Sequence, residues 1–192
     1  QSGDIGSFHN INSGLDCAFW DLFAKSKKIP LNKLLNPDSQ KHISIYASGI
    51  NPGEAYEKIS IGKSMGIKAF KVKIGFDHSL DIDLLDSLDR DFSNDATLML
   101  DVNQGWTIEE AYEYLKILEN YNFSWIEEPI SALSNKEEFL KIINATNCNL
   151  AFGENITNID DFIFLSQSPK LKFIQPDLTK YGGISLLSYL SK

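Results

Sequence analysis

The chain has 192 residues, is 43% hydrophobic and 23% charged, and carries a formal net charge of −8. That length fits one sizeable core or about one and a half domains, the composition is that of a soluble globular protein, and the acidic balance argues against a nucleic-acid surface. Two cysteines, Cys17 and Cys148, make no disulfide framework and fit a reducing cytoplasm; no apolar run approaches the ~20 residues of a membrane span, and no signal peptide opens the chain.

The chain starts at Gln1 rather than Met, which suggests that its natural start is lost. Residues 1–40 precede the first expected strand and hold an apolar helix, L-D-C-A-F-W-D-L-F-A at 15–24, then Pro30 and a second short helix. From there, short runs rich in Ile, Val and Phe predict strands at 42–47, 69–74, 97–103, 124–128, 150–154 and 172–177. Successive runs begin 22 to 28 residues apart. Between them lie segments with apolar residues three and four apart, as at 111–118 and 139–143, which read as helices. Asn51 with Glu54, Thr107 with Glu110 and Ser134 with Glu137 each fit a capping box, and Pro52 suits a first helical turn. N-x-S/T triplets at Asn122, Asn144 and Asn155 read as chance matches in an Asn-rich chain without a secretion signal.

Strand, helix and strand at this interval make right-handed parallel units, hence an α/β fold, either a barrel or a doubly wound sheet. A doubly wound sheet should carry a glycine-rich phosphate loop after its first strand, and there is no G-x-G-x-x-G. Polar residues instead sit at the ends of several different strands, where barrel enzymes keep their chemistry. The expectation is a (β/α) TIM-type barrel. A full one takes about 250 residues, and 41–192 has room for about six of eight units, so the barrel is expected to be incomplete, a fragment or a six-unit remnant with an open edge.

Strand alternation sorts the polar residues. Lys71 and Lys73 share one face and Phe70, Val72 and Ile74 the other, so both lysines are expected to point into the barrel. Burial and mutual repulsion would lower their pKa values towards those of a neutral-pH base, or the pair could snorkel to a solvated mouth. Asp101 and Asn103 end the next strand in one phase. D-V-N-Q-G is no EF-hand, because loop position six is Trp106 and position twelve is Tyr112. Asp101 could still be a cap for the helix near Thr107. Phase puts Glu127 with Trp125, and Glu154 and Asp177 end the next two runs. Asp101 to Glu127 is 26 residues and Glu127 to Glu154 is 27, one strand–helix unit each, which would set three carboxylates on adjacent strands at one level. Such a trio repels without a cation, and oxygen-only ligands suit Mg²⁺.

These residues resemble the mandelate racemase branch of the enolase superfamily. The resemblance runs through S-G-L-D-C-A-F-W-D-L-F-A-K at 13–25, I-P-L-N-K-L-L at 29–35, K-V-K at 71–73, D-V-N-Q-G-W at 101–106, W-I-E-E-P at 125–129, G-E-N at 153–155 and I-Q-P-D-L-T-K-Y-G-G-I at 174–184. It implies that 1–40 is a remnant of a lid domain with connecting helices and 41–192 a partial catalytic barrel. It implies Mg²⁺ as cofactor, with Asp101, Glu127 and Glu154 as metal ligands. Lys73 would be a general base, and Lys71 would contact the substrate carboxylate and help depress the pKa of Lys73. Asn103 would hydrogen-bond the substrate or a metal-bound oxygen, and Asp177 would orient a His on a seventh strand. Lys180 reads as a shared loop feature with no catalytic role.

The implied chemistry is abstraction of the α-proton of a small-molecule carboxylate through an enediolate, with positive charge concentrated around the dianion. Dehydration of an acid sugar is the leading expectation. Racemisation or epimerisation of a 2-hydroxy acid is the second, and a catalytically incompetent metal-binding fragment the third. The seventh-strand His would lie beyond Lys192 and the lid is largely missing, so the isolated chain is expected to be inactive. The full-length parent is expected to be a cytoplasmic homo-oligomer.

Overall fold

Helix signals and buried apolar runs alternate through the computed structural model, which describes residues 5–180 and 182–190. In chain order the elements are α1 (Ile5–Lys27), α2 (Leu31–Leu35), β1 (Ala47–Ile50), α3 (Ala55–Ser64), β2 (Ala69–Lys73), α4 (His78–Phe92), β3 (Thr97–Asp101), α5 (Ile108–Leu118), β4 (Ile126–Glu127), α6 (Lys136–Ala145), β5 (Leu150–Phe152), α7 (Ile159–Ser166), β6 (Phe173–Ile174) and α8 (Gly183–Leu190). No described helix is long and apolar enough to cross a membrane.

Among the described residues the six strands are all parallel, and each pairs with its sequence neighbours, in the order β1-β2-β3-β4-β5-β6. A doubly wound sheet reverses direction at a switch point. This one winds one way throughout, as a (β/α) barrel does. The chain forms two compact units. One comprises 45–152 and 164–174 and holds the whole sheet; the other comprises 1–44, 153–163 and 175–192. In the sheet-bearing unit Ile59, Phe70, Val72, Leu88, Phe92 and Leu98 pack together, so the apolar side of β2 is buried as alternation requires. In the other unit α1 meets α8 through polar anchors. Trp20 Nε1 donates to Ser185 Oγ at 2.9 Å, and the Ser185 and Gly182 amides donate to Asp16 and Ser13 at 3.0 and 2.8 Å.

Three local expectations are corrected. The first strand is not 42–47 but Ala47–Ile50; Ile43 and Ile45 are 80% and 72% exposed, so the apolar alternation there finds no surface to bury against. Asn51 makes no side-chain cap, because Pro52 starts a short 3-10 turn, Pro52–Glu54, ahead of α3. The box at α6 is shifted by one: Asn135 accepts from Glu137 and Glu138, and Glu138 closes it. Ser134–Glu137 and Asn135–Glu138 both fit the pattern, and Asn is as good a cap as Ser. The Thr107–Glu110 box stands as expected.

Candidate functional site

Parallel register fixes the centre of the sheet. Lys73 pairs with Asp101, Asp101 with Glu127, and Glu127 with Ala151. Residues level with one another in a parallel sheet share a face, so Lys73, Asp101 and Glu127 form one row. Ladder bonds hold it in place: the amide of Ile74 donates to the Asp101 carbonyl at 3.0 Å, and that of Val102 to the Glu127 carbonyl at 3.0 Å.

Lys71, one step back on the same face of β2, is buried under this row at 6% exposure. Its Nζ donates to Glu127 Oε1 at 2.7 Å and lies 3.2 Å from Asp101 Oδ2. Glu127 and Asp101 are themselves 1% and 5% exposed. Trp125 Nε1 donates to Glu127 Oε2 at 3.4 Å, in the phase expected. The Trp125 ring packs edge-on against Tyr46 at 5.6 Å and on Phe173 at 4.7 Å, and Lys71 Nζ lies 5.8 Å from the Tyr46 ring centre. One buried ammonium is thus held against two buried carboxylates, on an aromatic shelf.

This arrangement overturns part of the lysine reading. Lys71 does not snorkel, and its pKa is raised rather than lowered. Burial is the largest single effect and by itself lowers it, but the hydrogen bond and charge of Glu127, with the charge and hydrogen bond of Asp101, outweigh burial. The second alternative for Asp101 also falls, because Thr107 caps α5 and the Asp101 carboxylate instead accepts from the Asn103 amide at 3.0 Å.

Two placements differ from expectation. Asn103 does not continue β3; Asn103 and Gln104 turn left-handed at φ 50° and 64°, so strand phase ends at Asp101 and does not aim the exposed Asn103. Glu154 does not lie in β5, which ends at Phe152, so strand phase does not aim it. Gly153 ends the run at φ +127°, and a Cβ there would lie 3.0 Å from the Gln175 amide nitrogen. Among the described residues, no group of three or more His, Cys, Asp or Glu side chains is gathered as a metal centre.

Glu154 and Asp177 belong to the unit formed by 1–44, 153–163 and 175–192. There Lys180 Nζ donates to the Glu154 carbonyl at 3.0 Å and to Asn155 Oδ1 at 2.7 Å, and lies 3.5 Å from Asp177 Oδ2. Asp177 Oδ1 accepts from both the amide and the hydroxyl of Thr179 at 2.8 Å. Burial pushes the Asp177 pKa up, but the Thr179 hydrogen bonds and the Lys180 charge leave it lowered overall. The sequence marked Lys180 only as a loop feature three residues after Asp177, without these contacts. Asp81 was not singled out in the sequence: its buried carboxylate accepts from the Gly75 amide at 2.7 Å and anchors the turn after β2. Burial raises the Asp81 pKa, with backbone hydrogen bonds from 75–77 opposing it.

The donor set suits a hard divalent cation at Asp101 and Glu127. Both offer carboxylate oxygens from neighbouring strands, and one ammonium leaves a net negative charge in the buried trio.

Comparison with known proteins identifies relatives. Residues 58–188 match the family model "Enolase C-terminal domain-like". The L-Ala-D/L-Glu epimerase of Francisella tularensis subsp. novicida is 32% identical over 177 residues, 88% of this chain and 48% of that one. The L-talarate/galactarate dehydratase of Salmonella typhimurium is 30% identical over 178 residues, 90% of this chain and 44% of that one. Its crystal structure, liganded with Mg and L-lyxarohydroxamate, superposes with a TM-score of 0.80 at 29% identity over 90% of this chain and 45% of that one. A mandelate racemase/muconate lactonizing enzyme from Bordetella bronchiseptica superposes with a TM-score of 0.84 at 35% identity, over 90% of this chain and 47% of that one. The chain spans about half the length of the curated relatives it matches.

Proposed function

We propose that this chain, which belongs to the enolase C-terminal domain-like family, carries the metal-holding part of an active site that removes the α-proton from a small carboxylate substrate. The leading reaction is dehydration of an acid sugar. One observation carries the reading: the row Lys73–Asp101–Glu127, with buried Lys71 bridging the two carboxylates.

In this reading Asp101, Glu127 and Glu154 hold Mg²⁺. When bound, Mg²⁺ supplies the positive charge that holds the substrate carboxylate and lowers the acidity barrier of the neighbouring C–H bond. Lys73 takes the α-proton at Nζ. Lys71 adds a second fixed positive charge beside the substrate carboxylate, in a water-poor setting where such a charge counts for more. Asn103 donates to the substrate. Asp177 orients a base supplied by a further strand. The enzyme would be a cytoplasmic homo-oligomer that binds neither nucleic acid nor membrane; the free Cys17 and Cys148 and the charge of −8 support that setting.

The epimerase relative favours a second reading, epimerisation without loss of water. Against it stands Asp177: the resemblance implies a lysine base at that strand end in muconate-lactonising and dipeptide-epimerising relatives, and here the residue is Asp. The metal reading is tested by titrating Mg²⁺ into the chain and into Asp101→Asn/Glu154→Gln. Thermal stabilisation expected in the parent should vanish in the double variant, and no metal response in the parent refutes the reading. The full-length enzyme is then incubated with a panel of acid sugars in D₂O. A keto product means dehydration; α-deuteration without water loss means epimerisation.

A further inference from the structure

We propose that Lys180 is a positioning residue for Glu154, holding it by its own backbone so that its carboxylate is presented for the metal. The proposal rests on the reading of Glu154 as a metal ligand. Asp101 ends β3 and Glu127 lies in β4, where ladder bonds fix both neighbours and direction. Glu154 lies beyond the end of β5, after a glycine at φ +127°. A carboxylate on such a turn binds a cation well only if the turn is held elsewhere.

Lys180 contributes to that hold through side-chain contacts. An ammonium has three donors and no acceptor, and three acceptors surround this one: the Glu154 carbonyl at 3.0 Å, Asn155 Oδ1 at 2.7 Å and Asp177 Oδ2 at 3.5 Å. The carbonyl contact is the telling one, because it fixes the peptide plane that Glu154's side chain leaves from. Gly153 adds a second, independent link between the same two loops. Its missing Cβ admits the Gln175 backbone, whose amide nitrogen would otherwise be 3.0 Å from it. Asp177 is locked in turn by Thr179, so the tether ends on a fixed point.

The test compares the parent chain with Lys180→Met, Lys180→Arg and Glu154→Gln. Mg²⁺ affinity is measured by calorimetry, and amide hydrogen exchange across 153–157 is measured without metal. Loss of an outer partner of a metal ligand typically weakens metal binding about 10- to 100-fold. Lys180→Met should therefore raise the Mg²⁺ Kd about 10-fold and speed exchange at 154–156, whereas Lys180→Arg, which keeps the charge and reach, should restore most of both. If Lys180→Met does not fold, Asn155→Ala decides, because it removes one anchor and leaves the lysine; it should weaken Mg²⁺ binding and speed exchange in the same direction. A Kd within about twofold of the parent in the folded variant, with Glu154→Gln losing Mg²⁺, overturns the positioning role and leaves the metal reading standing. No Mg²⁺ binding by the parent overturns the metal reading and this proposal with it.

Discussion

Replacing Lys71 by Met keeps most of the buried side-chain volume and removes the charge together with its hydrogen bonds, so the change separates polar interactions from packing. The ammonium bridges Glu127 at 2.7 Å and Asp101 at 3.2 Å, with the three side chains 8%, 1% and 6% exposed. Water cannot take over at that burial. Removing one partner of a buried ion pair typically costs about 3–5 kcal/mol, because the remaining charge is left uncompensated. For a chain of this size each kcal/mol moves Tm by about 2–4 °C, so Lys71→Met should melt about 6–20 °C lower. The assay is thermal and urea unfolding without metal. The double variant Lys71→Met/Glu127→Gln removes one of the stranded charges and should recover part of the loss. Added Mg²⁺ should stabilise Lys71→Met by more than it stabilises the parent. A loss under about 1 kcal/mol, the range of exposed pairs, would refute the argument. So would a double variant no more stable than the single one, because the damage would then not be a stranded charge.

Two further expectations concern the scaffold and one its pH response. Gly62→Ala would place a Cβ 2.5 Å from Cε1 of the fully buried Phe70. Overpacking of about 1–3 kcal/mol should outweigh the helix-propensity gain of about 1 kcal/mol, so a raised urea midpoint would refute it. Thr107→Ala removes the α5 N-cap, whose hydroxyl accepts from Glu110; it should cost about 1 kcal/mol, read as a lower urea midpoint at an unchanged slope. Glu110 has its pKa lowered from 4.5, chiefly by the Thr107 backbone hydrogen bond. A depressed carboxylate contributes stability above its unfolded value and loses it as pH falls through the folded value. The stability gap between parent and Glu110→Gln should therefore be full above pH 4.5 and close below the depressed folded value; a gap that persists in acid would show that the cap acts without charge.

Much of this fold could be read from one dimension because its causes are local. Alternation in A-F-K-V-K assigned Phe70 and Val72 to the core and Lys71 to the opposite face, and the capping pattern found the start of α5. What could not be read depends on partners. Alternation gives the side of a sheet a residue faces, not the group it meets there, so the choice for Lys71 lay between a depressed base and a snorkelling cation. Its actual state, an ion pair with raised pKa, follows from Glu127 56 residues away. Likewise a count of residues per strand–helix unit cannot see where a strand stops. The interval of 27 between Glu127 and Glu154 differs from the preceding 26 by one residue, yet Glu127 lies in β4 while β5 ends at Phe152, before Glu154.

That early strand end divides the proposed ligands by how each is held. Asp101 and Glu127 inherit their positions from strand pairing, which the apolar residues on the far face stabilise whether or not a cation is present. Their repulsion is met by Lys71, so the pair can be buried before any metal arrives. Glu154 lies past the end of β5, and the contacts on its turn include the close approach at Gly153 and the ammonium of Lys180. Core substitutions should therefore disturb the first two ligands only by unfolding the sheet, whereas a change at Lys180 can loosen the third in a chain that stays folded. Metal affinity and thermal stability should separate in Lys180 variants and fall together in core variants, a pattern that a purely structural role for Lys180 would not produce.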